Sequence, residues 1–377
     1  MQELRPPYHY GAPVEPPWFC DREAEVAAIE SRMRDGIHVF LLSPRRYGKT
    51  SLLFRAMTRF GEGGGRVGYA NLLLCTNEIE VASSVLSAVV EGVLSGPGRA
   101  RHALEDVIRR LRVTPQLSVT TDGKVQLSFD PSVGRRVWRD VLEDALGLLE
   151  QTSDKRPSAL VLDEFQVVAG IGAKGLGGTF KAVADRMRHV SLVFSGSHLS
   201  IMEKLTKARG APLYGMGERI VLDVVPEAPM VSYLQRRARA SGMRLSKVTA
   251  QRIYVLADTV PNYVQQLAFA AYELAGTSSE ITDVHVDKGL SAVTRRQAGD
   301  FAEKYEQLSP SQQRILKVLA AEPVSRVYTK SFLDAVDVAN ANAVTTALRV
   351  LGEREMVQRR GGKWAVVDPF LRYWLTS

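Results

Sequence analysis

The amino-acid sequence predicts an α/β protein with a parallel sheet, followed by a helical region and a small winged-helix domain. Short apolar runs alternate with helical patterns across residues 37–225, which is typical of a doubly wound parallel sheet. From residue 228 onward the pattern changes, and residues 230–292 show helical periodicity with no strand between the helices. Helical patterns and then two short strands close the chain. We therefore predict three domains, at residues 1–226, 227–300 and 301–377.

The elements of the first domain follow from these patterns. Residues 22–33 read as a helix, residues 37–42 as an apolar strand, and residues 51–57 as helix-like. After a glycine-rich turn, a second strand is predicted at 66–72 and a helix at 81–94. Residues 117–120 and 125–129 alternate around Asp122-Gly123, which is a hairpin signature. A helix at 137–149 leads to an apolar strand ending at Asp163, and another apolar strand starts at Val190.

The loop after the first strand reads Ser43-Pro44-Arg45-Arg46-Tyr47-Gly48-Lys49-Thr50. A strand, a loop and a helix that starts at Gly-Lys-Thr form the layout of a phosphate-binding P-loop, in which backbone N–H groups surround a phosphate. Lys49 is expected to reach the β- and γ-phosphates, and Thr50 to bind Mg²⁺. Ser43 replaces the first glycine of the motif, so a small side chain must fit there. An ordinary strand, turn and helix is the alternative. The predicted nucleotide-binding residues here are Ser43, Pro44, Arg45, Arg46, Tyr47, Gly48, Lys49, Thr50 and Ser51.

Two later strands also end in polar side chains. Asp163 and Glu164 follow a continuous apolar run, and the carboxyl ends of parallel strands are where ligands bind. Asp163 is therefore expected to hold Mg²⁺, and Glu164 to act as a general base on water. The alternative is that both acids merely end a strand. Ser195 or Ser197 is a candidate for sensing the γ-phosphate, although a Ser-Gly-Ser run is more often only a turn.

The last domain carries a candidate DNA-binding surface. Ser309 and Pro310 predict a helix start, a further element follows at residues 329–333, a helix is predicted at about 340–351, and two strands meet at Gly361-Gly362. Three helices and then a two-stranded wing are the winged-helix arrangement, in which the recognition helix near Asn340 could read base edges while wing cations meet phosphates. The alternative is that the domain packs on its own first domain or on a protein partner. The predicted DNA contacts are Asn342, Thr345, Arg349, Arg359, Arg360 and Lys363.

Composition sets the broad class. The chain has 377 residues, is 45% hydrophobic and carries a net charge of +8, which favours contact with polyanions without establishing it. No apolar run reaches the ~20 residues that span a bilayer, and no signal peptide is evident. Cys20 and Cys75 are the two cysteines, so neither a disulfide scaffold nor a zinc site is expected. We expect a cytoplasmic protein with no membrane partner.

Several of these motifs, in this order, resemble the archaeal-type P-loop ATPases, an AAA+/STAND-like family also found in bacteria. The matching runs are Pro44 to Leu53, Asp163 to Gln166, Phe194 to Ser197, Pro212 to Gly215 and the ending Val367 to Trp374. The resemblance implies a P-loop NTPase sheet, a helical lid containing Pro261 to Gln265, and a preference for ATP. It also implies that an N-terminal arm with Tyr10 and Arg22 covers the adenine.

One departure from that family separates the functional hypotheses. The family has arginine after Pro-Leu-Tyr-Gly, whereas this chain has Met216, with Arg219 three residues later. If Arg219 takes over the catalytic role of that arginine, the chain is an Mg²⁺-dependent ATPase switch that couples nucleotide state to double-stranded DNA. If the role is lost, the chain is a nucleotide-sensing scaffold for a protein partner or homo-oligomer. A third hypothesis is a DNA-binding regulator in which the ATPase fold is secondary.

Overall fold

The computed structural model describes residues 6–93, 116–119, 125–128, 137–153, 156–207, 209–338 and 340–377. The chain divides into two compact units. The sheet unit is Pro13–Val224, and the helical unit combines the residues up to Ala12 with Val225–Ser377. Among the residues that the structure describes, no helix is both long enough and apolar enough to cross a membrane.

The sheet unit contains a five-stranded parallel sheet, as the alternating pattern predicted. Its strand order is β2-β5-β6-β1-β7. The strands of the unit are β1 (Val39–Leu42), β2 (Arg66–Asn71), β3 (Gln116–Val119), β4 (Val125–Ser128), β5 (Ser158–Asp163), β6 (Val190–Gly196) and β7 (Glu218–Val221). The helices are α1 (Glu23–Arg34), α2 (Lys49–Glu62), α3 (Glu78–Val93), α4 (Val137–Ser153), α5 (Val168–Ile171), α6 (Ala173–Ala184) and α7 (Leu199–Thr206).

Burial explains which strands are central. Every residue of β1, β5 and β6 is buried, because helices cover both faces of a parallel sheet. The edge strand β7 exposes three of its four residues. The predicted hairpin is confirmed, since β3 and β4 pair in antiparallel register.

An aromatic cluster fixes the segment that follows β5. The ring of Phe194 lies 5.0 Å from Phe40, 4.7 Å from Phe165 and 5.9 Å from Phe180, measured between centroids. All four rings are buried, and aromatic pairs at such distances contribute beyond the area they bury. Phe165 comes directly after Asp163 and Glu164, so this packing anchors the backbone that carries both carboxylates.

The helical unit holds the predicted lid and winged-helix elements. The lid elements are α8 (Glu227–Ala240), β8 (Arg244–Leu245), α9 (Lys247–Leu256), α10 (Pro261–Ala275), β9 (Glu280–Ile281) and α11 (Asp283–Glu306). The winged-helix elements are α12 (Pro310–Ala321), α13 (Lys330–Val336), α14 (Ala341–Glu353), β10 (Val357–Arg360), β11 (Lys363–Val366) and α15 (Pro369–Thr376).

The expectation that no strand separates the lid helices was wrong. Strands β8 and β9 pair in parallel, with Arg244 opposite Glu280 and Leu245 opposite Ile281. Each strand has two residues, which is too short to show a period of two in the sequence. In the folded unit, Leu245 and Ile281 are buried, and Arg244 pairs with Glu280 across the two strands.

Caps and aromatic contacts define the rest of the helical unit. Ser309 Oγ accepts a hydrogen bond from the backbone N–H of Gln312, so α12 starts where the sequence predicted. On α15, Phe370 is fully buried, and its ring lies 5.6 Å from that of Tyr263. The winged-helix elements are thereby packed against the lid helices.

Candidate functional site

The loop between β1 and α2 turns at Arg46 and Gly48. Both residues have positive φ, 71° at Arg46 and 86° at Gly48, whereas Ser43 is not among the described residues with positive φ. Ser43 is fully buried, and its backbone N–H donates to Gly196 O at 3.3 Å. A glycine is therefore not required at position 43, and the serine fits because the left-handed turn occurs later in the loop.

Lys49 lies between two carboxylates at the start of α2. Its Nζ donates to Asp163 Oδ1 at 2.7 Å and to Glu164 Oε1 at 3.0 Å. The Lys49 and Asp163 side chains are 6% and 1% exposed. A buried ammonium is stable only when it is paired in this way. The predicted phosphate-binding lysine and the two predicted carboxylates thus form one cluster at the carboxyl ends of the strands.

Asp163 accepts two further hydrogen bonds through its second oxygen. Thr50 Oγ1 lies 3.3 Å and Tyr69 Oη 3.1 Å from Asp163 Oδ2. Burial and the negative charge of Asp163 raise the pKa of Tyr69, so its hydroxyl stays protonated and donates. No sequence motif indicates a role for Tyr69. Its position on β2 brings it to the site, because the next two residues of β2, Ala70 and Asn71, pair with Leu162 and Asp163 of β5.

Glu164 is held by a set of donors. Its Oε2 accepts hydrogen bonds from Gln166 Nε2 and from Ser197 Oγ, the latter at 2.9 Å. Burial opposes ionisation, but the Lys49 ammonium and the donated hydrogen bonds outweigh it, so the pKa of Glu164 lies below its ordinary value. The backbone of Glu164 has a φ of 55°, a left-handed conformation that is uncommon for glutamate. The carboxylate is thus ionised, oriented and partly exposed.

The two serines at the end of β6 have different surroundings. Ser197 contacts Glu164 through its hydroxyl, and its backbone N–H donates to Gln166 Oε1 at 3.2 Å. Ser195, one of the two candidate γ-phosphate sensors, is fully buried, and its Oγ has no hydrogen-bond partner among the described residues. Gln166 contacts both Glu164, after β5, and Ser197, after β6, and so links the ends of these two strands. In the sequence, its position two residues after Glu164 is the one indication of this role.

Arg219 does not reach the carboxyl edge of the sheet. It pairs with Phe40, two residues before the end of β1, and its side chain is exposed on the edge strand. Met216 is 8% exposed and belongs to the hydrophobic core of the sheet unit. The structure therefore brings neither residue into the cluster of Lys49, Asp163 and Glu164.

The predicted adenine-covering arm is divided between the two units. Tyr10 lies in the helical unit, where its ring meets that of Phe269 at 5.5 Å. Arg22 lies in the sheet unit, where it is 6% exposed and donates to Asp223 O. Ser51 Oγ accepts from Val14 N–H at 2.9 Å, which ties the arm to α2.

On α14, Asn342, Thr345 and Arg349 lie on one exposed face. Thr345 donates to Ala341 O at 3.0 Å, and Arg349 pairs with Glu353 at 2.7 Å. The three residues predicted to contact DNA on this helix thus form a polar, solvent-exposed face.

The wing cations point to two sides of the β10–β11 hairpin. Cross-strand pairs share a face, so Arg360 and Lys363 lie on one side and Arg359 and Trp364 on the other. Arg359 and Lys363 are exposed, whereas Arg360 donates to the lid residues Asp258 and Thr259. The structure therefore does not place the three cations on a single surface.

Comparison with known proteins agrees with this architecture. A family model described as "Probable winged helix domain" matches residues 299–377. Among curated protein sequences, none matches the chain. A Walker-type ATPase of Pyrococcus abyssi is similar in structure, with a TM-score of 0.68 and 15% identity, over 98% of this chain and 100% of that one.

Two Aeropyrum pernix proteins are also similar in fold. The ORC2 protein has a TM-score of 0.57 at 15% identity, over 97% of this chain and 96% of its own. The ORC1 protein, solved in complex with DNA, has a TM-score of 0.53 at 16% identity, over 96% and 94%. The predicted fold class is confirmed: the chain shares its α/β fold with these three structures, and residues 299–377 match the winged-helix model.

Proposed function

We propose that this protein binds and hydrolyses ATP with Mg²⁺ and uses the nucleotide state to control its winged-helix domain. The observation that carries the proposal is the cluster of Lys49, Asp163 and Glu164 beside Thr50, at the N-terminus of α2. A helix N-terminus, a buried ammonium and two carboxylates are the groups that a nucleoside triphosphate and its metal ion require. The fold of Walker-type ATPases supports the same reading.

The residues take distinct roles in this mechanism. Lys49 exchanges its carboxylate partners for the β- and γ-phosphates, and the loop N–H groups bind the same oxygens. Thr50 and Asp163 would hold Mg²⁺, which would neutralise phosphate charge. Such a site fits magnesium, which is usually held by one or two carboxylates and substrate phosphates. Within the described residues, no group of three or more His, Cys, Asp or Glu side chains is arranged as a metal site.

Glu164 acts as the general base. Its ionised carboxylate accepts a proton from the attacking water, and Gln166 and Ser197 hold one of its oxygens in place. When Lys49 moves to the phosphates, Glu164 loses one hydrogen bond and becomes a stronger base. The proton affinity of Glu164 is thereby linked to occupancy of the P-loop.

Contact with double-stranded DNA is the second part of the proposal. The exposed face of α14, the cations Arg359 and Lys363, and the net charge of +8 support it. A structural relative, the Aeropyrum pernix ORC1 protein, was solved in complex with DNA. The wing and helix would contact phosphates and base edges respectively.

The burial of Met216 favours a second candidate function. An arginine that stabilises transition-state charge contributes several powers of ten in rate, and neither Met216 nor Arg219 is placed to do so. With that contribution missing, the protein would be a nucleotide-sensing scaffold that regulates a protein partner or a second copy of this chain. Slow turnover with tight ATP binding distinguishes it from an efficient ATPase.

The first experiment measures ATP binding and turnover with and without Mg²⁺ and with and without double-stranded DNA. Mg²⁺-dependent turnover that rises with DNA supports the DNA-coupled ATPase. Tight binding with negligible turnover in every condition supports the scaffold. Failure to bind ATP contradicts both.

Ser197 is expected to act as a positioning residue. Ser197→Ala should lower kcat about fivefold with KM unchanged, because one hydrogen bond that orients Glu164 is lost. Ser197→Thr keeps the hydroxyl and should restore kcat. A threonine variant as slow as the alanine variant would contradict the orienting role.

The lowered pKa of Glu164 predicts the pH dependence of turnover. The base must be ionised, and its pKa in the free protein lies below the ordinary value of a glutamate. The profile of kcat/KM should therefore show no acid limb from Glu164 at or above the ordinary pKa of a glutamate. An acid limb near neutral pH that is absent from a Glu164→Asp variant would contradict this assignment.

A further inference from the structure

The guanidinium of Arg360 is held by the turn between α9 and α10. It donates to Asp258 O at 2.9 Å through Nη1 and to Thr259 Oγ1 at 2.7 Å through Nη2. A guanidinium presents a planar set of donors that matches a pair of acceptors, and a phosphate offers the same pattern. The lid turn thus engages both terminal nitrogens of the guanidinium that a wing arginine would offer to DNA.

The turn has an uncommon backbone conformation. Asp258 and Thr259 have φ values of 50° and 63°, both in the left-handed region, and Thr259 is β-branched. Such conformations persist when surrounding contacts hold them and often occur at switch regions. Here the surrounding contacts include Arg360 and Arg372, whose Nη1 lies 2.8 Å from Asp258 Oδ1.

The two arginines differ in how firmly their own elements are anchored. Arg372 lies on α15, next to the fully buried Phe370. Arg360 is the last residue of β10, and Gly361 and Gly362 follow with φ values of 55° and 80°. The side chain at the hairpin turn can therefore leave the lid while α15 remains packed.

A pocket of about 300 Å³ lies between lid and winged-helix elements, lined by Leu256, Leu290, Ala320, Pro369 and Arg372, among others. Arg372 also pairs with Asp258, so it connects this pocket to the Asp258–Thr259 turn. Packing between lid and winged-helix elements is therefore incomplete on the Arg372 side of the turn.

We propose that Arg360 is a concealed phosphate-contact residue, which the Asp258–Thr259 turn withholds from DNA until the lid releases its guanidinium. The inference rests on the proposed binding of DNA. Arg359 and Lys363 are exposed and make the first phosphate contacts, and Arg360 adds its contact only after it leaves the lid. The lid turn and a DNA phosphate would bind the same Arg360 guanidinium, so the lid turn limits the affinity of the wing for DNA.

Thr259→Val tests the proposal, because it removes the hydroxyl that accepts from Arg360 and leaves the arginine intact. Double-stranded DNA binding is measured at several salt concentrations for the wild type, Thr259→Val, Arg360→Gln and the double variant. Thr259→Val should bind roughly three- to tenfold more tightly, with a salt slope larger by about 0.9 for one added phosphate. Arg360→Gln should bind like the wild type, and the double variant should show no gain.

Matched controls separate the possible failures. Thr259→Ser keeps the hydroxyl and should behave like the wild type, and Arg359→Gln should weaken binding and reduce the salt slope. Thr259→Ala, which also lacks the hydroxyl, serves as the second test if the valine variant is unstable. Two outcomes would overturn the concealed-arginine proposal alone. In the first, both hydroxyl-free variants bind DNA as the wild type does. In the second, Arg360→Gln weakens DNA binding as much as Arg359→Gln does. No DNA binding by any variant would overturn the proposed DNA contact as well.

Discussion

Glu164→Gln is expected to lower ATP turnover by about 10²- to 10⁴-fold, the usual contribution of general acid–base catalysis. The amide has nearly the shape of the carboxylate, so Gln166 and Ser197 can still hold it, but it cannot accept a proton from water. ATP binding should stay within a few-fold of the wild type, because Lys49 and the loop N–H groups remain. Single-turnover hydrolysis and equilibrium nucleotide binding measure the two effects separately.

The control for this variant is Glu203→Gln, an exposed glutamate on α7 that pairs with Lys207. It makes the same chemical change in the same unit, away from the cluster, and should leave turnover unaltered. Equal turnover by the wild type and Glu164→Gln would remove Glu164 from the mechanism. If both were nearly inactive and bound ATP tightly, the scaffold function would be the better description.

Lys49→Ala is expected to weaken ATP binding by roughly 10- to 100-fold, since charge-assisted hydrogen bonds to phosphate are lost. Lys204→Ala, an exposed lysine on α7, is the matched control and should bind ATP normally. Fluorescent-nucleotide titration measures the effect. Unchanged binding by Lys49→Ala would contradict the placement of phosphates at this loop.

The same variant should also change how stability depends on pH. Without Lys49, the pKa of Glu164 rises relative to the wild type, because burial is then opposed only by the hydrogen bonds from Gln166 and Ser197. Two neighbouring carboxylates also lose their counter-ion. A carboxyl group whose pKa is raised in the folded state destabilises the fold at high pH, where it is charged. Protonation at lower pH removes this cost. Lys49→Ala should therefore reduce the free energy of unfolding, relative to the wild type, by more at pH 8 than at pH 5. Chemical denaturation of both proteins at the two pH values measures this difference.

Much of the fold could be predicted because its signals are local or periodic. The continuous apolar runs before Ser43 and Asp163 identified central strands, since a strand covered on both faces needs apolar side chains at every position. The Ser309-Pro310 helix start and the Gly361-Gly362 turn are local backbone preferences, and both occur as predicted. Strands β8 and β9 were missed, because two residues carry no period.

The candidate site was predictable to the extent that strand ends converge. Lys49, Thr50, Asp163 and Glu164 were predicted from motifs on different strands, and the parallel sheet brings them within hydrogen-bond distance. The contributions of Tyr69, Gln166 and Ser197 depend on side-chain directions across neighbouring strands, which no motif encodes. The position of Arg219 depends on the register of β7 against β1, and spacing from Met216 does not reveal it.

The sequence by itself determined the order of the elements, the phosphate-binding loop and the two carboxylates, because these follow from the chemistry and periodicity of short segments. Tertiary structure decided which charges meet. It paired Lys49 with both carboxylates, buried Met216 in the core, and gave Arg360 to the Asp258–Thr259 turn, about a hundred residues earlier in the chain. These outcomes depend on which surfaces pack together, since an ionic or hydrogen-bonding group takes whichever partner the fold brings within reach.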